Sequence, residues 1–403
     1  MGTIYLTIEI HQPVRLGTYR FYDIKNNHYY YNDYENEYYI RQLTEKIYLP
    51  VNRILLDLIH SYKKNFYLSF LFSGVVLDEF ELYAPEMIRS YKNLLDSGNV
   101  ELLSGTYSNI FGPPPNIGLY QNQLIEQNRK VKLLLGKDTI LSPYNTIRYP
   151  EFADHGIKIV SGNRKLNYTI TGDTSPANYF DWLLAAEKVT RILNENHKYA
   201  EDLRIFIPYH VTCDLSTSNA SLPAFLELFP SEILSKYDYV FGNLSTTNTH
   251  YGYRTQPEYY ENNHKELKTF HSTCNELQNN AFETLYSLSE KMKMCDNPFL
   301  NKDWLYLQSC DHFFFMDQRM YEHNDLYAYD IPYESPHFAY INYMNILTDF
   351  DERLDMWLRD SLWDHPEYFA RFGTNRGNKQ KIRLSGARNH MFARMTNQVK
   401  CLI

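Results

Sequence analysis

Two runs constrain the fold most: FYLSFLFSG (66–74) and VELLSGTYS (100–108). The first is apolar through most of its length and the second carries Val100, Leu102 and Leu103 without strict alternation, so as strands they must be covered on both faces, the mark of a parallel sheet flanked by helices. The segments between them have the other period. RQLTEKIYLPVNRILLDLIHSYK (41–63) carries apolar residues at helical spacing, with Pro50 ending one helix and opening the next. Residues 82–98 and 121–136 read as further helices, stopped by Gly98 and Gly136. Residues 3–10 form the first strand, and His11 falls at its end. Strand–helix alternation of this kind specifies an α/β fold. Later strands are expected at 145–151, 157–161, 203–209 and 238–242, and the polar ends of such strands are where barrel sites form. After about residue 255 the pattern turns helical; Leu277, Ala281, Leu285, Leu288 and Met292 step by three and four.

With 403 residues, one large barrel or two domains are the natural solutions. A net charge of −8 argues against a nucleic-acid partner, which needs a basic face, but not against a neutral polymer. Five scattered cysteines without CxxC spacing form neither a disulfide framework nor a zinc motif. The histidines lack HxxxH or HxxH spacing, so no metal and no cofactor are expected. The opening MGTIYLTIEIHQP has no secretory character, and the longest apolar run, Tyr67 to Leu77, is too short to span a bilayer. A cytoplasmic protein without a membrane partner is the expectation; its oligomeric state is open. The stretch 368–403 contains no Asp or Glu and eight Lys and Arg residues, and reads as a basic, solvated extension.

Tyrosine is unusually abundant, 37 residues against four tryptophans, and it concentrates in 304–350. There Trp304, Phe313, Phe314, Phe315, Tyr321, Tyr327, Tyr329, Tyr333 and Tyr340 surround the polar pair Asp311-His312. A flat apolar face with a hydroxyl edge suits ligands built the same way, and sugars are such ligands. An aromatic helical core explains the same composition without any ligand.

His11-Gln12-Pro13, followed by YRFYDI (19–24) and YLPVN (48–52), resembles the opening of the glycoside hydrolase family 57 α-amylases. FSGVVLDEFELYAPE (72–86) is similar to that family's second region, and NELQNNAFETLYSL (275–288) with WLYLQSCDHFFFM (304–316) to its C-terminal helical region. The resemblance implies an incomplete (β/α)7 TIM-like barrel over 1–255, a helical bundle region over 256–350 and an extension over 351–403. It further implies α-glucan or maltooligosaccharide as partner, contacted by His11, Gln12, Trp304, Asp311 and His312.

Retaining chemistry on such substrates needs two carboxyl groups about 5–5.5 Å apart. Against the family's Phe-Arg-Asn-Thr-Glu-Leu strand, one alignment sets Asn145-Thr146 on Asn-Thr and places Ile147 at the nucleophile. The other sets Arg148–Phe152 on Arg-Asn-Thr-Glu-Leu and keeps Glu151 as the nucleophile. At the proton donor, the register of Phe206 and Tyr209 puts Pro208, which cannot transfer a proton, with Asp214 the nearest downstream carboxyl group. Gly105 also stands where the family carries a glutamate. The resemblance therefore implies an α-amylase-like protein that binds α-glucan with weak or no hydrolysis. The alternative is an active retaining hydrolase or glucanotransferase using Glu151 and a non-standard acid.

Overall fold

The computed structural model describes residues 2–140, 156–161, 168–171, 188–192, 202–208, 221–246, 270–322 and 331–364. The chain divides into two compact units, Met1–Leu354 and Asp355–Ile403. All site residues described here belong to the first.

Among the described residues seven strands form one sheet: β1 (Gly2–Ile10), β2 (Leu68–Phe72), β3 (Val100–Leu103), β4 (Gly156–Ser161), β5 (Tyr168–Thr171), β6 (Leu203–Pro208) and β7 (Tyr239–Phe241). Their order is β3-β2-β1-β6-β4-β5, with β7 paired to β1. The middle strand β1 is buried along almost its whole length, as a strand covered on both faces must be. It pairs in parallel with β6 through Ile4–Glu9 on one edge. On the other edge it pairs with β2 through Thr7–Ile10 and with β7 through Gly2–Ile4. The last described strand thus returns to the first.

The α/β class holds, with one correction to the strand directions. β4 runs antiparallel to both β5 and β6, so the sheet is mixed. β4 and β5 are joined by too few residues for a crossover, and only an antiparallel pair can be closed by so short a connection. The strand expected at 145–151 lies outside the described residues.

Helices α1 (Asp33–Leu43) and α2 (Leu49–Tyr62) are joined by a π-helical turn at Thr44–Tyr48, and Pro50 sits in the first turn of α2, where its missing N–H costs nothing. Helix α3 (Gly74–Tyr83) begins immediately after β2, whereas the sequence pattern suggested that the first helix here starts at 82. The reason is physical: residues Gly74 to Phe80 are all buried, so α3 has no polar face to betray its period. Its start is fixed by Ser73, whose Oγ accepts the Val76 N–H at 3.2 Å. Helix α4 (Pro85–Asp96) is followed by Gly98 at φ +78°, and α5 (Ile117–Leu135) by Gly136 at φ +75°, both left-handed as helix stops require. Helix α6 spans Ser221–Lys236.

One apolar core joins β1, β2, β6 and β7 to α1, α2, α4, α5 and α6, with Ile4, Phe70, Leu55, Tyr91, Val131 and Phe225 at its centre. The helical region comprises α7 (Glu276–Ser287), α8 (Pro298–Leu307), α9 (Cys310–Phe314) and α10 (Pro336–Asp364). Asn275 and Gln278 form a reciprocal capping box on α7. This region is tied to the sheet by polar contacts as well as by packing. Cys310 N–H donates to the Asn109 carbonyl at 3.1 Å, and Ser108 Oγ donates to the Leu305 carbonyl at 2.5 Å. Asp349 accepts from Tyr30 OH at 2.7 Å and from the Lys25 N–H at 2.6 Å.

Candidate functional site

The ends of three neighbouring strands build the site. Because Ile10 of β1 registers with Phe72 of β2, the next residues, His11 and Ser73, come side by side. Ser73 N–H donates to the Ile10 carbonyl at 3.1 Å, and its Oγ lies 2.7 Å from His11 Nδ1. The loop after β3 pairs Ile110 with Ser309 as an antiparallel bridge, which brings the start of α9 onto the strand ends. There Asp311 Oδ2 meets His11 Nε2 at 2.9 Å and accepts from Ser309 Oγ at 2.7 Å. One proton arrangement satisfies this chain of partners. Val76 N–H donates to Ser73 Oγ, Ser73 O–H donates to His11 Nδ1, and His11 Nε2–H donates to Asp311. His11 and Asp311 are each about 1% exposed, so their mutual contact offsets the loss of water.

The pair has charged neighbours. Gln12 is buried, and its Oε1 accepts from Arg15 Nη2 at 3.4 Å; the Arg15 guanidinium lies 3.9 Å from the centre of the Tyr39 ring. Glu79, on α3, is fully buried, and neither of its carboxyl oxygens has a hydrogen-bond partner among the described residues. Burial pushes its pKa well above the usual carboxylate range; Arg15 opposes the shift, while Asp78 and Asp311 add to it. Asp78 is also buried, but it is paired: Lys130 Nζ stands 2.7 Å from Oδ1, and Tyr107, Lys302 and Tyr306 donate to Oδ2. Burial lowers the pKa of Lys302, and Asp78 offsets part of that shift.

Gly74 is required where α3 approaches the β3 loop, because a Cβ there would lie 2.1 Å from Cδ2 of Tyr107. Only glycine lets this helix start and the Tyr107 ring share the space.

The structure distributes the expected site residues unequally. His11 and Asp311 come together although 300 positions separate them. Trp304 packs inside the helical region, 6.3 Å from Phe350 in a near-parallel stack and 6.1 Å edge-on to Tyr286. His312 turns away from Asp311: its Nε2–H donates to the Tyr306 carbonyl at 3.0 Å and its ring lies 5.6 Å from Tyr343. Burial lowers its pKa to about 4, with Asp311 opposing the shift. Pro208 closes β6 with its backbone in register with Glu9. Glu151 and Asp214 lie outside the described residues, so no geometry relates them to His11. Sequence reading missed Ser73, Glu79, Ser309 and Cys310 as neighbours of the pair. The available signal was the acidic Asp78-Glu79 doublet inside the apolar run GVVLDEF, at the end of a buried strand.

Comparison with known proteins gives this arrangement its context. Residues 5–113 match the model of Glycosyl hydrolase family 57. A Methanocaldococcus jannaschii protein described as a "Putative alpha-amylase" is 23% identical over 416 residues, covering 90% of this chain and 86% of that protein. Among solved structures, a family 57 branching enzyme from Thermococcus kodakaraensis aligns with a TM-score of 0.48 and 11% identity, over 88% of this chain and 90% of that one. The 4-alpha-glucanotransferase of Thermococcus litoralis aligns with a TM-score of 0.45 and 13% identity over 78% of this chain. This chain spans 56% of that glucanotransferase's length. The likeness rests on the sequence matches: the pattern of glycosyl hydrolase family 57 spans the first strands, residues 5–113, and the Methanocaldococcus jannaschii relative aligns along most of the chain.

Proposed function

We propose that this protein binds α-glucan or maltooligosaccharide at the strand ends around His11, with weak or no hydrolysis. The observation that carries this reading is the buried His11–Asp311 pair beside a strand, β6, that ends in Pro208. The pair supplies a polar floor held by Ser73 and Ser309, which is what orienting sugar hydroxyls requires. Proline at the position where the family carries its proton donor removes general-acid assistance, and that assistance contributes roughly 10²–10⁴-fold in rate. Gln12 lies on the same strand end and adds a carboxamide to the floor. In this reading Trp304 and His312 contribute by stiffening the helical wall that carries Asp311.

Among the described residues no helix is long and apolar enough to cross a membrane, and Cys274 and Cys295 are in no disulfide. The unbridged cysteines support a cytoplasmic setting.

Calorimetric titration with maltoheptaose, paired with hydrolysis assays on starch and on an activated aryl maltooligoside, tests the proposal. Binding that weakens in His11→Ala, with no turnover of starch, is expected. Binding unchanged in a folded His11→Ala would remove this site from the account. Turnover of the aryl substrate that is lost in Glu151→Gln would instead establish the active retaining hydrolase.

A further inference from the structure

We propose that His11, Cys310 and Asp311 form a binding site for a thiophilic divalent metal of the zinc class, where the end of β1 meets the start of α9. One donor atom from each residue, an imidazole nitrogen, a thiol sulfur and a carboxylate oxygen, lies within 4.8 Å of the other two. Donors around a tetrahedral zinc at about 2.0–2.3 Å stand roughly 3.3–3.8 Å from one another. Two of the three separations are already near or inside that range: His11 Nε2 to Asp311 Oδ2 is 2.9 Å, and Cys310 Sγ to Asp311 Oδ2 is 3.7 Å. Side-chain rotation by about an ångström would complete the set.

The donor chemistry selects the metal. A thiolate with an imidazole and a carboxylate suits zinc and its late first-row neighbours and does not suit calcium or magnesium, which prefer all-oxygen cages. The outer partners are of the right kind. Ser73 Oγ stands 2.7 Å from His11 Nδ1, so with metal on Nε2 it would accept a hydrogen bond from Nδ1–H and hold the ring. Ser309 Oγ, 2.7 Å from Asp311 Oδ2, would orient the carboxylate in the same way. Binding exchanges one proton for the cation: the Cys310 thiol loses its proton to solvent, while the single imidazole proton passes from Nε2 to Nδ1 as the metal bonds form.

A second observation points the same way. Glu79 is buried, its two oxygens have no partner among the described residues, and Asp311 repels it. Arg15 is the cation that acts on this carboxyl group most strongly, and Asp78 adds negative charge that Lys130 and Lys302 pair. A dication between His11 and Asp311 would offset the surplus next to Glu79. Three protein ligands leave a fourth position for a small oxygen donor, the donor count of catalytic rather than structural zinc.

The test uses the full-length chain, stripped by chelator dialysis and titrated with Co2+ and then with Zn2+ in competition. A thiolate-to-cobalt charge-transfer band with tetrahedral ligand-field bands, saturating near one equivalent and abolished by Zn2+, is expected. The band should vanish in Cys310→Ser and persist in Cys295→Ser, a buried cysteine elsewhere in the helical region. Ser73→Ala, which leaves all three ligands in place, should weaken binding by roughly 10–100-fold. Absence of a thiolate band in the native chain, or its survival in Cys310→Ser, would overturn the proposal. Metal content is read without any glucan, so failure here is distinct from failure of the glucan reading.

Discussion

Acidification should destabilise this protein through a single buried ring, that of His312. The side chain is 5% exposed, donates Nε2–H to the Tyr306 carbonyl and packs beside Tyr343, and its pKa falls from 6.5 to about 4. The unfolded chain therefore takes up a proton near the ordinary histidine pKa, while the native chain resists protonation until about 4. Between those values the unfolded state binds more protons, so stability rises with pH. The contribution is fully present above the unfolded pKa and is lost as pH falls towards the folded one. From about pH 7 to about pH 5 the two titrations differ by roughly 2 kcal/mol, approaching about 1.4 kcal/mol per pH unit. Urea denaturation followed by far-UV circular dichroism at a series of pH values measures this directly. The comparison is with His312→Asn, which keeps a donor for the Tyr306 carbonyl and does not titrate. Packing lost in the variant shifts its curve by a constant, so the slope isolates the ring. Parallel pH dependences for the two proteins would refute the reasoning.

Two further perturbations follow from packing and from charge pairing. Trp304→Ala removes the ring stacked near Phe350 and Tyr286 and should cost roughly 3–5 kcal/mol in urea denaturation, with Trp304→Phe costing clearly less. A Trp304→Ala protein of unchanged stability that has lost maltoheptaose binding would give this residue a ligand-facing role instead. Asp78→Ala leaves the Lys130 ammonium, Lys302 and the Tyr107 and Tyr306 hydroxyls without their shared acceptor, and should cost on the order of 3 kcal/mol. A melting temperature unchanged by that substitution would show that water replaces the carboxylate freely.

Most of the sheet was legible in the sequence because buried strands announce themselves as apolar runs: β2, β3 and β6 fall inside the runs read as strands. Gly98 and Gly136 were legible as stops because left-handed backbone selects glycine. Helix α3 was not, since periodicity reports one-sided burial and its first seven residues, Gly74 to Phe80, are all buried. The direction of β4 was equally hidden, because neighbour choice depends on connection length and on the sheet edge left open, not on the strand's own residues.

The site divides along the same line. His11-Gln12-Pro13 and Asp311-His312 stand out in the sequence as polar residues within apolar or aromatic surroundings. What the sequence by itself determined was the α/β class, the helical region that follows it and the presence of these two polar elements. Local composition is enough for that, because it reflects how much of each segment must leave water. The tertiary structure alone decided that His11 bonds Asp311 while the adjacent His312 turns to a backbone carbonyl. It also decided that Glu79 is buried without a partner among the described residues and that Cys310 joins the His11–Asp311 pair. Such juxtapositions arise from strand register and from the angle at which α9 meets the strand ends. Spacing along the chain carries no trace of a contact spanning 300 residues.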